Sequence, residues 1–583
     1  MLRRSSACFL AAILLALPAL AGADSRKLDA ALRARAETPY ATSRVIITTT
    51  GGDRADAAIR AAGGRPGRFL NAIGGQVALV PDFALSRLAA RPEVRRVALD
   101  RQVSGAMERT SATVGAGWVH EQLGYDGAGV GVAIIDSGVT NWHDDLGTQR
   151  VAHFVDFVSD WPVPQDGYGH GTHVAGIIAG NGYGSTGARR GIAPGASLVV
   201  LRVLDQTGDG HISNVIAAMD YAVDHREAFN IRVINLSVAS GVYESFLTDP
   251  LTLAAKRAVD AGIVVVTSAG NHGQTSRGTL QHGGITSPGN APWVLTVGAS
   301  NHHMTVTRHD DTVAGFSSRG PTLIDRVMKP DVLAPGVAIE SLADATGTIY
   351  ALNPAARLWG TTDTVTAPYV SMTGTSMAAP VVTGTIALML EANPALTPNL
   401  IKALLHYTAE TRATFPLAAQ GAGFLNARGA VQLAAALGGV TADTDDPTRW
   451  SRHLLWSDRR AHGGRITADA NAWRIGVVWG ASETLEGDDI VWGTVVDADT
   501  PWGPRPGAGQ LLNEMELEEL SAMGAWLEES RGLAWGARGP HAVPTSVRQG
   551  VAVLPDDRWL WRRRFGAPAT PSDAGPTRSA WDR

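Results

Sequence analysis

Three residues far apart in the sequence carry the side chains that an activated hydroxyl nucleophile requires. Asp136 follows the apolar segment Val130 to Ile135, which is typical of a buried parallel strand. His170 stands where a glycine-rich loop becomes a helix, and Ser376 begins a long apolar helix, where free N–H groups favour a developing negative charge. A serine attacker, a histidine base and an orienting carboxylate together perform nucleophilic catalysis. Asn271, after another predicted strand, adds an amide that can donate to an oxyanion.

Each of these residues also has an ordinary structural interpretation. An aspartate at a strand end or an asparagine after glycine is common in turns, and a serine at a helix start is a common N-cap. His170 and His173, on one helical turn, would also suit zinc, although no third ligand of matching spacing stands nearby. The order of Asp136, His170, Asn271 and Ser376 along the chain favours the catalytic interpretation over these structural ones.

The elements that must position these residues follow an alternating pattern. Short β-branched segments alternate with helical ones, which predicts an α/β fold with a parallel sheet and helices on both faces. Such sheets place their sites at the carboxyl ends of the strands. The predicted strands are Val130 to Ile135, Ser197 to Leu204, Val233 to Leu236, Ile263 to Thr267 and Trp293 to Val297, and the predicted helices are Ser213 to His225, Leu251 to Asp260, Ser376 to Ala392 and Thr397 to Ala409.

Composition is compatible with several folding units and gives no sign of a polyanionic partner. The 583 residues are 45% hydrophobic and 18% charged, enough to bury substantial cores. With 50 basic and 55 acidic groups the formal charge is −5, so we expect neither nucleic acid nor an anionic membrane as partner. We expect a monomer.

The N-terminus is predicted to be a secretory signal, residues 1–23. A basic start precedes the apolar run Phe9 to Leu20 and the small-residue site Ala21-Gly22-Ala23. A membrane anchor is the weaker interpretation, because a spanning helix needs roughly 18 to 20 apolar residues. Cys8 is the single cysteine, so the mature protein would form no disulfide. We expect an exported protein, extracellular or periplasmic, with no membrane span.

Four ordered segments resemble the signatures of subtilisin-like serine proteases. They are Ala133-Ile134-Ile135-Asp136-Ser137-Gly138, His170-Gly171-Thr172-His173-Val174-Ala175-Gly176, Ala269-Gly270-Asn271 and Gly374-Thr375-Ser376-Met377-Ala378-Ala379-Pro380. The resemblance covers roughly Trp118 to Leu437 and predicts a subtilisin-like catalytic domain at residues 112–437. It implies that Ser376 is the nucleophile and His170 the general base and then acid. It also implies that Asp136 holds the imidazole tautomer and that Asn271 donates to the oxyanion.

The same resemblance implies a binding strand for protein or peptide substrates. Asn235-Leu236-Ser237 would form an extended edge to which a peptide adds as a strand, and Ser237, Val238, Ala239 and Gly270 would be the substrate-binding residues. Because this binding mode contacts the backbone of the substrate more than its side chains, we expect broad specificity. Ala239 stands where the family usually has a glycine-rich loop, so we expect an altered preference at the residue before the cut.

The resemblance also implies structural calcium, and we expect catalysis to need no cofactor. Asp145, in His143-Asp144-Asp145-Leu146, resembles a family position that binds Ca²⁺; its alternative is a solvated loop carboxylate. The companion loop, Gly180 to Gly191, offers only Asn181 as an obvious side-chain ligand, whereas Ca²⁺ takes six to eight oxygens.

Two further segments flank the predicted catalytic domain. Residues 43–101 resemble the inhibitor-type propeptide of the family, a ferredoxin-like α+β unit, and we expect self-cleavage between about Asp100 and Ser111. Residues 441–583 hold 11 of the 16 tryptophans and form a Trp/Gly-rich C-terminal extension. This extension would pack a small β layer, bind a surface, or be removed after export.

Three functions fit the sequence. The main hypothesis is an exported serine endopeptidase that is inhibited by its own propeptide until it is processed. A protease-like scaffold that binds without cleaving is disfavoured because all four chemical groups are present. A peptide ligase or cyclising enzyme keeps the chemistry but uses an acceptor other than water.

Overall fold

The computed structural model describes residues 25–494, apart from 38–40, 101, 106–112, 148, 276, 304–307, 441–449, 457–458 and 463–464. The predicted signal at 1–23, and residues 441–449 and 495–583 of the predicted extension, lie outside the described residues. The chain forms two compact units. The first ends at Leu99 and lacks residues 70–73, and the second contains residues 70–73 and the chain from Asp100 onward.

The first unit is a four-stranded sheet covered by helices. Its strands lie in the order β2-β3-β1-β4, with β1 antiparallel to both neighbours, and β1-α2-β2-β3-α3-β4 is the ferredoxin-like succession. Ile47, Ile59 and Leu85 are among its fully buried core residues. The elements are α1 Ala30–Glu37, β1 Thr42–Thr49, α2 Asp56–Ala61, β2 Arg65–Leu70, β3 Gly75–Pro81, α3 Leu85–Ala89 and β4 Val94–Leu99.

The second unit is built on a larger sheet, and the predicted α/β fold is confirmed. In the described part of the chain eight strands join, in the order β14-β13-β12-β10-β6-β8-β7, with β15 paired to β13. Its strands and helices up to the end of the predicted catalytic domain are β5 Gln102–Gly105, α4 Ala116–Trp118, β6 Gly131–Asp136, β7 Val151–Asp156, α5 His170–Ala179, β8 Ser197–Arg202, β9 Asp209–His211, α6 Ile212–Asp224, β10 Ile231–Leu236, β11 Val238–Ala239, α7 Pro250–Asp260, β12 Val264–Ser268, β13 Leu295–Asn301, β14 Thr312–Val313, β15 Val332–Pro335, β16 Ile339–Leu342, α8 Thr348–Leu352, β17 Arg357–Leu358, β18 Tyr369–Met372, α9 Thr375–Ala392, α10 Pro398–Thr408, α11 Leu417–Gln420 and α12 Ala427–Leu437.

The central strands end level with one another. Strand β10 lies between β6 and β12 and is parallel to both, and Leu236 pairs with Ile135 on one side and with Thr267 on the other. Because every residue of β6 is buried, helices must cover both faces of the sheet. The residues that follow these strand ends, Asp136 and Ser237, therefore meet at one edge.

Helix α9 runs through the core beside this sheet. Among the described residues, Thr375–Ala392 is the one helix long and apolar enough to cross a membrane, and 89% of that segment is buried inside the protein. Pro380 lies within its first turns. As the sixth residue of the helix it has no N–H for the Ser376 carbonyl, and the Ser237 hydroxyl donates to that carbonyl instead, over 2.9 Å.

A three-stranded sheet lies next to the ends of the large one. Strand β5 is antiparallel to β11 on one side and to β9 on the other. Gly105 pairs with Val238 and Ser104 with Ala239. The edge predicted at Asn235-Leu236-Ser237 is therefore wrong, because Asn235 and Leu236 pair with β6 and β12 on both sides. The edge that pairs with β5 is Val238–Ala239, two of the residues predicted to bind substrate.

The described part of the C-terminal extension packs into the core of the second unit. Its buried side chains include Trp456, Trp473, Trp479 and Trp492, which belong to the same hydrophobic cluster as Leu404 of α10. Its strands are β19 His453–Trp456, β20 Arg459–His462, β21 Arg465–Ile466 and β22 Gly493–Thr494, paired antiparallel as β19 with β20 and β21 with β22. Residues 450–494 therefore share the catalytic unit's core, across the predicted boundary at 437–441.

Candidate active site

Asp136 and His170 form a hydrogen-bonded pair inside the protein. The imidazole Nδ1 lies 2.7 Å from Asp136 Oδ1, and both side chains are completely buried. Ser137 N donates to the same Oδ1, also over 2.7 Å. When Nδ1–H donates to the carboxylate, Nε2 carries the free lone pair and can accept a proton. Within the described residues, Nε2 has no hydrogen-bond partner.

The start of α5 brings His170 to the end of β6. A Cβ at Gly171 would lie 2.1 Å from the Gly138 carbonyl oxygen, so only glycine permits this approach of the two backbones. Gly169, on the other side of His170, has a φ of +97°. These two glycines set the distance at which the imidazole meets Asp136.

Ser376 occupies the second position of α9 and is held by Ser237. Its Oγ donates to the Ser237 carbonyl over 3.1 Å, and the Ser237 hydroxyl donates to the Ser376 carbonyl over 2.9 Å. Asn235 Nδ2 donates to Ser237 Oγ over 2.9 Å, which fixes the position of the Ser237 hydroxyl. The Ser376 hydroxyl is thus directed at a carbonyl, and within the described residues no hydrogen bond joins it to His170 Nε2. Hydrogen bonds between catalytic groups are often long or poorly aligned in enzymes without substrate.

The Asn271 amide is oriented by Thr375. Its Oδ1 accepts hydrogen bonds from Thr375 N over 2.9 Å and from Thr375 Oγ1 over 3.1 Å. Thr375 Oγ1 also accepts from Gly270 N over 3.1 Å. With its oxygen occupied by Thr375 at the start of α9, Asn271 has the two hydrogens of Nδ2 to donate to another group.

Residues 286–287 connect the segments that follow β10 and β12. Thr286 N donates to the Ala269 carbonyl over 3.1 Å, and Ser287 exchanges two backbone hydrogen bonds with Ser240, over 2.9 and 3.0 Å. A Cβ at Gly270 would lie 2.8 Å from Thr286 Cγ2. The methyl group of Thr286 therefore lies directly beside Gly270, which was predicted to bind substrate.

Asp145 does not fit the calcium ligand predicted from the sequence. Its Oδ1 accepts from Gly184 N over 2.7 Å and its Oδ2 from the Tyr369 hydroxyl over 2.8 Å, and the residue is fully buried. Asn181 uses its Oδ1 to accept from Tyr183 N over 2.8 Å. Two neutral donors already occupy the carboxylate, so these residues do not supply the oxygens that Ca²⁺ requires. The solvated-loop alternative is also wrong, because the carboxylate is buried.

A zinc site at the two histidines gains no support. His173 Nε2 lies 3.2 Å from the Val370 carbonyl oxygen, and His170 is engaged with Asp136. In the part of the chain that the structure describes, no group of three or more His, Cys, Asp and Glu side chains could hold a metal.

Some residues that position the site were not singled out from the sequence. Thr375 orients Asn271, and Ser137 and Asp166 hold the start of α5. Two of the three, Ser137 and Thr375, lie inside the motifs Asp136-Ser137-Gly138 and Thr375-Ser376. Their places next to Asp136 and Ser376 in these motifs could have indicated their positioning roles. Asp166, four residues before His170, was visible only as a loop carboxylate.

The parallel sheet, the buried carboxylate–imidazole pair and the serine at a helix start define a serine hydrolase of the α/β type. The model of the peptidase S8 subtilase family matches residues 127–430, so the chain belongs to the subtilase family. It is a subtilisin-like serine endopeptidase, and structural calcium is common in this family.

Individual relatives agree with this assignment. The serine protease AprX of Bacillus subtilis (strain 168) is 36% identical over 359 residues, covering 60% of this chain and 78% of AprX. The extracellular serine proteinase of Thermus sp. (strain Rt41A) is 32% identical over 349 residues, 58% of this chain and 72% of that one. The crystal structure of fervidolysin from Fervidobacterium pennivorans, a keratinolytic enzyme related to subtilisin, superimposes with a TM-score of 0.52 and 25% identity, covering 67% of this chain and 61% of fervidolysin.

Proposed function

We propose that this chain is an exported endopeptidase that hydrolyses peptide bonds through an acyl-enzyme, with Ser376 as nucleophile, His170 as base and Asp136 as orienting carboxylate. The observation that carries the proposal is the buried 2.7 Å contact between His170 Nδ1 and Asp136 Oδ1, with Nε2 left free. A neutral imidazole held in this tautomer is the base that a serine hydroxyl requires.

Acylation begins when the Ser376 hydroxyl turns from the Ser237 carbonyl to His170. As Oγ attacks the scissile carbonyl carbon, its proton passes to His170 Nε2, and Asp136 stabilises the resulting imidazolium. The same proton then passes to the leaving amine, the C–N bond breaks, and an ester to Ser376 remains. A water molecule repeats the sequence on the ester, releases the acid product and restores the hydroxyl.

The tetrahedral oxyanion is stabilised by two donors. Asn271 Nδ2 is available because Thr375 occupies the amide oxygen, and the backbone N–H of Ser376 belongs to the unpaired first turn of α9. Donors fixed in advance cost no reorganisation during the reaction, which makes this one of the larger contributions to rate.

Substrate binds as an added strand along Val238 and Ala239. The antiparallel pairing of β5 with β11 supports this mode, because a segment of this chain already uses that edge. Residues 43–101 act as the inhibitor-type propeptide, and β5 is the link between that segment and the mature enzyme.

The position of β5 supports self-cleavage within the interval predicted from the sequence, about Asp100 to Ser111. Gly105, its last residue, pairs with Val238, directly after the Ser237 that holds Ser376. Residues 101 and 106–111 of that interval lie outside the described residues.

A fluorophosphonate probe tests the catalytic proposal. We expect the purified wild-type protein to be labelled at Ser376 and to cut a denatured protein into peptides that each carry one added water, as shown by mass spectrometry. Ser376→Ala is expected to lose labelling and cleavage and to remain a full-length precursor in a host that lacks other proteases. Wild-type protein that neither labels nor cleaves contradicts the proposal, and joined peptides would indicate the ligase instead. Export is tested separately, by N-terminal sequencing of the protein recovered outside the cytoplasm.

A further inference from the structure

Asp166 is a second buried carboxylate near the reacting groups, and it is only 2% exposed. It accepts four hydrogen bonds, each 2.7 Å long: Oδ1 accepts from Ser137 Oγ and Gly169 N, and Oδ2 from Thr172 N and Thr172 Oγ1. A buried carboxylate is costly unless its oxygens are satisfied, and here both oxygens are.

The donors to Asp166 lie on both sides of His170. Gly169 directly precedes it, and Thr172 follows two residues later in the first turn of α5. Gly171 N donates to Ser137 Oγ over 2.9 Å, so a third N–H of this turn is bonded to the hydroxyl that itself donates to Asp166. The first N–H groups of a helix have no partner within it, and Asp166 with Ser137 supplies partners for these three.

Ser137 connects the hydrogen bonds of Asp166 to Asp136, the residue that pairs with His170. Its Oγ donates to Asp166, and its backbone N donates to Asp136 Oδ1, the oxygen that His170 Nδ1 contacts. A continuous chain of hydrogen bonds therefore runs from Asp166 through Ser137 to Asp136 and His170.

We propose that Asp166 is a positioning residue for the proposed base, fixing the backbone on both sides of His170 and, through Ser137, the carboxylate of Asp136. This inference rests on the proposed function. An amide at this position would turn one acceptor into a donor facing the N–H of Gly169 or of Thr172. The first turn of α5 would then shift, and displacements near 1 Å cost on the order of 10² in rate.

The test compares Asp166→Asn with Asp156→Asn. Asp156 is also a buried carboxylate, and it has five protein donors: Val158 N, Ser159 N, Ser159 Oγ, Gln165 Nε2 and Arg202 Nη1. None of these donors flanks His170. For Asp166→Asn we expect kcat per fluorophosphonate-titrated site to fall on the order of 10², with KM within about threefold of wild type. Asp156→Asn is expected to keep kcat.

A second variant covers the case in which Asp166→Asn does not fold. Ser137→Ala keeps Asp166 with its bonds to Gly169 and Thr172, and it keeps the backbone donor to Asp136 Oδ1. It removes the hydroxyl that joins residue 137 to Asp166 and that accepts from Gly171 N. We expect kcat to fall on the order of tenfold, again with little change in KM. A kcat that stays at the wild-type value in the folded variants overturns the inference, and so does an equal fall in Asp156→Asn.

A measurement without turnover separates this inference from the proposed function. The proton between His170 Nδ1 and Asp136 gives a low-field proton NMR signal. This signal is expected to shift or disappear in Asp166→Asn and to persist in Asp156→Asn. If the wild type proved inactive while the signal changed in this way, the proposed function would fail and the positioning role would stand. A signal unchanged in Asp166→Asn would overturn the positioning role whatever the activity.

Discussion

Trp479 of the C-terminal extension lies over the ammonium group of Lys402, with the nitrogen 4.7 Å from the ring centroid. The indole Nε1 donates to the Leu455 carbonyl over 2.7 Å, and His406 meets the same ring edge to face at 5.3 Å. Trp479 thereby closes a buried charge cluster in which Lys402 and Lys329 share Asp331. The extension thus contributes to the stability of the catalytic unit.

Trp479→Ala should lower the free energy of unfolding by about 3–5 kcal/mol, because it removes a buried indole and uncovers an ammonium group. Urea unfolding in the Ser376→Ala background measures this without self-digestion. Trp359→Ala is the matched control, since Trp359 is 62% exposed and its loss should change stability by less than about 0.5 kcal/mol. Equal effects of the two substitutions would mean that the extension does not stabilise the unit.

The same cluster predicts a dependence of stability on pH. Burial lowers the pKa of Lys402 from 10.5 to about 7, although Asp331 acts in the opposite direction. Between these values the unfolded chain binds a proton that the folded chain has released, so the free energy of unfolding should rise with pH from about 7 to about 10.5. One such proton contributes up to about 1.4 kcal/mol per pH unit.

Lys402→Met should reduce this rise, and unfolding of the Ser376→Ala protein at several pH values measures it. Part of the rise should remain, because burial also lowers the pKa of Lys329, which shares Asp331. Lys256→Met is the control, because Lys256 is partly exposed and paired with Asp260 at the surface. A slope that is unchanged in Lys402→Met would assign the pH dependence to other groups.

Asn271→Ala should lower kcat on the order of 10²–10³, the cost known for removing such a donor in subtilisin, with little effect on KM. The reason is that Nδ2 acts on the charge that develops during attack rather than on the bound substrate. Thr375→Ser keeps both hydrogen bonds to Asn271 and is expected to retain kcat. Steady-state kinetics normalised to titrated sites decides the matter, and an unaltered kcat would remove Asn271 from the oxyanion site.

The chemical groups were predictable from sequence because their positions depend on local patterns. Asp136 directly follows a buried strand, and Ser376 begins an apolar helix, so parallel-strand geometry brings them to one edge. Strand β2, Arg65–Leu70, was not predicted, since its Arg-Pro-Gly-Arg start lacks alternation of apolar and polar residues.

Contacts between distant parts of the chain were not predictable. Asp145 was expected to bind calcium, but its Oδ2 is bound by Tyr369, 224 residues further along the chain. The extension was treated as a separate segment, yet Trp479 contacts Lys402, and only the folded core makes that contact. In both cases the role of the residue depends on a partner far along the chain. The sequence around the residue does not indicate that partner.

The position of Thr286 beside Gly270 predicts a preference for small residues before the cut, because we expect its methyl group to limit the depth of the substrate pocket. Ala239 adds a methyl group where the family usually has a glycine-rich loop. With succinyl-Ala-Ala-Pro-X p-nitroanilides, we expect kcat/KM to be at least about tenfold higher for X = Ala than for X = Phe, the discrimination that one or two carbons of pocket depth provide.

Thr286→Gly should raise kcat/KM for the Phe substrate by about tenfold or more and leave the Ala substrate nearly unchanged, because only the depth of the pocket is altered. Thr286→Ser removes the methyl group alone and is expected to give an intermediate value, and Ala239→Gly tests the Ala239 methyl group separately. A wild-type enzyme that already prefers Phe would show that the Thr286 methyl group does not limit the pocket. The catalytic proposal would stand in that case, since both substrates report on the same Ser376.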